Sequence, residues 1–199
     1  MTIESDLELI LSEMSHRWFN GLQVLDASIS LGIRQSRTHA ELTDHLASLR
    51  TRIVAMAALH RQLYDFADCD SASMQAGLMD LCTEVIRCFG RTDIVPKVKM
   101  SAIDLPRQRK ICLAALAIEL MTNALKHGQG PHLSGVISLT IVPTGRNRFQ
   151  LLFVDNFSPP DSRILPRPKL VENLVDVLEG EIRIFVQPSY TTMVQFHGG

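Results

Sequence analysis

The sequence carries almost no net charge: 20 Lys and Arg stand against 21 Asp and Glu over 199 residues, a formal charge of −1. With no local basic run either, there is no electrostatic case for nucleic acid or an anionic membrane as partner. Long apolar runs are also missing. The longest, Ile111–Met121, is interrupted by Glu119 and is too short to span a bilayer. The four cysteines, Cys69, Cys82, Cys88 and Cys112, show no metal-site spacing with histidines, so small buried thiols are expected. No signal peptide, internal repeat or low-complexity tract is visible, and the expected compartment is the reducing cytoplasm.

What is present is an ordinary globular composition, 46% hydrophobic and 21% charged, enough for one domain or two small ones. The N-terminal stretch Glu13–Gln23 splits at helical spacing into two faces. Leu7, Leu11, Met14, Trp18 and Leu25 form a heptad seam suited to burial against other helices. Glu13, His16, Asn20 and Gln23 follow the same rhythm on a polar face. Asn20 projects one turn beyond His16, and Arg17 adds a planar fork of donors suited to phosphate. A solvated helix face would explain such residues too. Yet a nucleophilic nitrogen, an amide able to orient water and a nearby guanidinium also suit phosphoryl transfer.

Those residues, Glu13-Met-Ser-His-Arg-Trp-Phe-Asn-Gly-Leu-Gln23, resemble the phosphoacceptor box of two-component histidine kinases whose box reads His-Arg-x-x-Asn. Arg52–Tyr64 is similar to the family's second helix, and Glu119-Leu-Met-Thr-Asn-Ala-Leu-Lys-His127 to its asparagine box for ATP and magnesium. The three occur in family order. The resemblance implies that His16 accepts phosphate, that Asn123 ligates Mg and that Glu119 holds a water of the ion. It also implies that Lys126 and His127 lie near the phosphates and that Asp155, ending the apolar strand Leu151–Val154, meets the adenine amino group. Response-regulator receiver domains are the implied partners. By that resemblance, a chain of this length is expected to lack the input domain that sensor kinases usually carry.

The first helix is expected over about Ser5–Ile33, and the second from Thr38 or His39 to about Phe66, with Leu42, Leu46, Leu49, Ile53, Met56, His60 and Leu63 in heptad rhythm. A lone hairpin cannot bury both stripes, so a homodimer pairing two hairpins into a four-helix bundle is expected, with His60 at its core or interface. Asp65–Ser73 reads as a linker, dividing a dimerisation and phosphotransfer hairpin (1–68) from a second domain (69–199). There a helix over Met74–Phe89 precedes a strand over Val95–Met100 and a helix opened by Pro106. Strands over Val136–Val142 and Phe149–Asp155 flank the turn Thr144–Asn147, and a helix over Lys169–Leu178 precedes strands Glu181–Gln187 and Thr191–Phe196. The order predicts an α+β fold whose second part is a two-layer α/β sandwich. By resemblance this sandwich is ATPase-like, of the Bergerat type.

It is a degenerate one. The family continues Asp-x-Gly-x-Gly where this chain reads Asp155-Asn-Phe-Ser-Pro-Pro160, and no glycine occurs between Arg146 and Glu179. Glycine is needed where backbone closely approaches a nucleotide, and the prolines of Ile164–Val171 cannot donate an N–H to phosphate. The expected function is therefore a phosphorelay phosphotransferase carrying phosphate on His16 to and from response-regulator aspartates, with no cofactor required. Two alternatives stand: an atypical kinase that phosphorylates His16 from ATP and magnesium, and a non-catalytic scaffold that binds response regulators.

Overall fold

The computed structural model describes residues 26, 29, 30, 33, 34, 36, 38–91, 93–127, 135–156, 169–185 and 190–198. Asp26, Ile29, Ser30, Ile33 and Arg34 are helical. The rest of the expected first helix, with its box, lies outside the described residues.

Helix α1 (His39–Asp68) begins where a Thr-x-x-Glu pattern sets a capping box. The Thr38 hydroxyl accepts from Glu41 N at 3.2 Å, and the Glu41 carboxylate accepts from Thr38 N at 3.4 Å. The helix runs past Phe66, and the stretch read as a linker is its last turn followed by a tight turn. The Asp70 carboxylate accepts from Ser73 N at 2.8 Å, which leads directly into helix α2 (Met74–Cys88). What the polar composition of Asp65–Ser73 concealed is that Phe66 and Ala67 point inward and are buried. Helix α2 ends in a Schellman motif: Gly90, at φ 67°, donates to Arg87 O, and Arg91 N donates to Ile86 O.

Strand β1 (Ile94–Met100) takes Pro96 without loss because it is an edge strand. Helix α3 (Arg107–His127) follows, its first backbone bond made from Lys110 N to Pro106 O. Strands β2 (Gly135–Gly145) and β3 (Arg148–Asp155) form a hairpin. Its two-residue turn holds Asn147 at φ 57°, a left-handed position that Asn tolerates. Helix α4 (Lys169–Val177) and strands β4 (Glu181–Phe185) and β5 (Tyr190–His197) complete the chain.

The sheet order is β1-β2-β3-β5-β4, parallel between β1 and β2 and antiparallel elsewhere. A β1–α3–β2 crossover supplies the one parallel pair. Alternation sends Ile137, Leu139, Ile141, Leu151, Phe153, Val194 and Phe196 to one face, where they pack with Leu78, Leu113 and Leu116 of the helices in a single core. The two-layer α+β sandwich expected for this part is therefore present. Leu63 and Phe66 of α1 belong to the same core. Among the described residues no helix is long and apolar enough to cross a membrane.

The heptad rhythm of α1 separates into two rows. Leu49 and Leu63 are buried, while Leu46 (47% exposed), Ile53 (46%) and His60 lie outward, with Val54 beside them. Seven residues make nearly two helical turns, so each row keeps to one side. His60, expected at the core or interface of a paired bundle, is thus outside the core of this single chain. It lies on an outer face that is largely apolar.

Candidate functional site

Topology sorts the sandwich into two ends. Because α3 runs back between parallel strands, its C-terminal half arrives where β2 begins. The register sets Ile137 of β2 beside Asp155, the last residue of β3, and Asp155 beside Tyr190, the first of β5. The end of α3, the end of β3 and the start of β5 thus share one end of the molecule.

Four of the expected site residues have described side chains there. Glu119 is 4% exposed on α3, and one turn later the Asn123 amide donates to its Oε1 at 3.2 Å. A buried carboxylate needs such a donor, since burial without partners is costly. Asp155 is likewise 4% exposed, at the inward-facing end of β3. Lys126 lies exposed in the last turn of α3, and His127 is its final residue. Beyond Asp155, the Asn156 side-chain oxygen accepts from Val136 N at 2.9 Å and extends the β2–β3 ladder by one bond.

The donor set can be tested against the magnesium and nucleotide that the asparagine box implies. With its Nδ2 bonded to Glu119, Asn123 keeps its carbonyl oxygen as the atom that could ligate an ion. A single protein oxygen suits Mg, which keeps several waters and takes its other ligands from phosphates. Among the described residues no group of three His, Cys, Asp or Glu could hold an ion unaided. Asp155 is a buried carboxylate, a group able to accept from an amino group. The segments that would cradle phosphate, 128–134 and 157–168, lie outside the described residues, as do His16, Arg17, Asn20 and Phe157.

Two residues escaped the sequence reading. Thr192 is 1% exposed, opposite Phe153 on the inner face and close to Asp155. The alternation Thr192, Val194, Phe196 would have placed it inward. Arg109 is buried at the opposite end, where its guanidinium donates to Leu178 O (3.0 Å), His197 O (2.6 Å) and Glu179 Oε1 (2.9 Å). No local pattern announces it.

Residues 13–89 match the HisKA_2 family of histidine kinases. A curated relative, blue-light-activated histidine kinase 2 of Erythrobacter litoralis, is 26% identical over 140 residues, or 68% of this chain and 39% of the relative. The chain therefore spans well under half the length of that protein. In structure, the histidine kinase domain of the Erythrobacter litoralis EL346 blue-light activated kinase superposes with a TM-score of 0.57 at 19% identity, covering 88% of this chain and 93% of the other. A bacterial phosphotransferase gives 0.52 at 10% identity, covering 98% and 97%. These structural likenesses establish the fold, and over residues 13–89 the chain is similar to the histidine kinase family.

Proposed function

We propose that the chain is a phosphorelay histidine phosphotransferase. In this reading residues 1–68 form a hairpin that pairs with a second copy in a four-helix bundle, and residues 69–199 form a degenerate ATPase-like sandwich. His16 takes phosphate from one receiver aspartate and gives it to another. A neutral imidazole, with an unperturbed pKa of about 6.5, offers a lone pair near pH 7. Its nitrogen forms the bond to phosphorus as the bond to the aspartyl oxygen breaks, and the carboxylate leaves. Arg17 offsets the moving charge, and Asn20 orients the water that competes with transfer. The outward row of Leu46 and Ile53 on α1 supports the paired bundle, because it offers apolar surface to a partner.

The observation that carries this reading is the uneven state of the nucleotide end. Glu119, Asn123 and Asp155 are present and buried or half-buried, yet Phe157 takes a close-approach glycine's place and residues 147–178 contain no glycine. Each lost donor to a charged phosphate removes about 1.5–3 kcal/mol, so two or three would move a micromolar site toward millimolar. A second reading, an ATP-dependent kinase acting on His16, is favoured by the surviving Glu119–Asn123 pair and by the kinase relative.

One experiment separates them. The chain is incubated with labelled ATP and magnesium, and separately with a phosphorylated receiver domain, each with and without His16→Ala. Label from the receiver alone, lost in the variant, is the expected result. Label from ATP that depends on His16 would establish the kinase, and acceptance by His16→Ala would overturn both.

A further inference from the structure

Helix α1 joins the core of the sandwich through its C-terminal end, where Leu63, Phe66 and Ala67 are buried. Two side chains from the first turn of α3 reach back to that end. Arg107 Nε lies 2.7 Å from Asp68 Oδ1, and Lys110 Nζ donates to Cys69 O at 2.6 Å. Underneath, Phe66 packs so close to α2 that a Cβ on Gly77 would lie 2.9 Å from its ring. The connection itself is bonded along its length: Cys69 N to Phe66 O, Ser73 N to Asp70 O and Gly77 N to Ser73 O.

We propose that Arg107, Lys110 and the Phe66–Gly77 contact form a latch that fixes α1 on the α/β layer, so that α1 and sandwich move as one body. The leverage makes this matter. At 1.5 Å per residue, a 30-residue helix projects about 45 Å, so roughly 10° of play at the junction would swing its far end by about 8 Å. Phosphoryl transfer tolerates far less, since a misplacement of about 1 Å can cost about a hundredfold in rate. A latch at the root of the helix presents any partner that touches both α1 and sandwich with one geometry. The latch stands on these contacts alone and does not depend on the direction of phosphate flow.

Hydrogen exchange at the Cys69, Ser73 and Gly77 amides of the full chain tests it. The Asp68 and Arg107 side chains are 66% and 53% exposed, so reversing either leaves the fold intact. Asp68→Arg and Arg107→Asp should each speed exchange at these amides about two- to fivefold, with Leu139 and Phe153 of the sheet unchanged. Lys110→Met, which removes a charged donor from a carbonyl, should speed it about tenfold. The double reversal Asp68→Arg/Arg107→Asp should restore the wild-type rate. Unchanged rates in both single reversals together with Lys110→Met, or wild-type junction amides that exchange as fast as unstructured chain, would overturn the proposal.

Discussion

Arg109→Met asks how much of the sandwich's stability rests on one buried guanidinium. The replacement keeps an unbranched stem and removes every donor. Three acceptors are affected, and they are not equivalent. Leu178 O still receives His197 N at 3.3 Å. Glu179 is 63% exposed at its side chain, so water replaces the lost cation there for well under 1 kcal/mol. The loss therefore falls on His197 O, which is left without its charged donor at about 1–3 kcal/mol, and on the second bond to Leu178 O, about 1 kcal/mol more. Relief from burying a guanidinium offsets part of this. We expect a net cost of about 2–4 kcal/mol, a large share of the roughly 5–15 kcal/mol typical of a domain. Urea unfolding with an unchanged slope would read it. Arg109→Lys should fall between, at about 1–2 kcal/mol, since one ammonium cannot span both carbonyls with a planar fork. A cost below about 1 kcal/mol for Arg109→Met would refute the reasoning.

Gly180→Ala should destabilise by about 2–3 kcal/mol in the same assay, because its Cβ would lie 2.6 Å from the backbone oxygen of Gln195, which cannot move aside. Burial pushes the Cys82 thiol up to about 12 and that of Cys112 to about 11, from 9.0; burial first and then Glu84 raise Cys88 to about 11. The folded state then holds these protons more tightly than the unfolded one. Stability is fully present below about pH 9 and is lost as pH rises through 11–12, which melting curves at stepped alkaline pH would follow. Ile53→Glu should abolish self-association in light scattering while leaving circular dichroism unchanged, since Ile53 is 46% exposed in the single chain. An unaltered mass would remove α1's outer row from the interface.

Much of the fold was legible because its signals are local. Thr38 and Glu41 mark a helix start within four residues, and Thr144–Asn147 marks a hairpin turn. Alternation along Leu151–Val154 and Thr191–Phe196 fixes which side chains face the core. Glu119 and Asn123 could be paired from their spacing alone, since one helical turn sets them side by side. What spacing could not tell was which half of the α1 heptad rhythm the chain itself would cover. Leu46 and Leu49 are equally apolar, yet one is exposed and the other buried.

The first turn of α3 shows the same limit from the other side. Arg107, Arg109 and Lys110 crowd three cations, with no acidic residue, onto a helix N-terminus, where the dipole disfavours them. By local rules the pattern is an error. In the fold each cation has crossed to the C-terminal end of another element: Arg107 to Asp68 and Lys110 to Cys69 O at the end of α1, and Arg109 to Leu178 O and His197 O beyond α4 and β5. At the ends of α1 and α4 the terminal carbonyls and the negative ends of helix dipoles favour positive charge. The cost at one helix start is offset at the ends of three other elements brought together by topology. The separations of 39, 41, 69 and 88 residues put that compensation beyond any window in which a sequence pattern can be read.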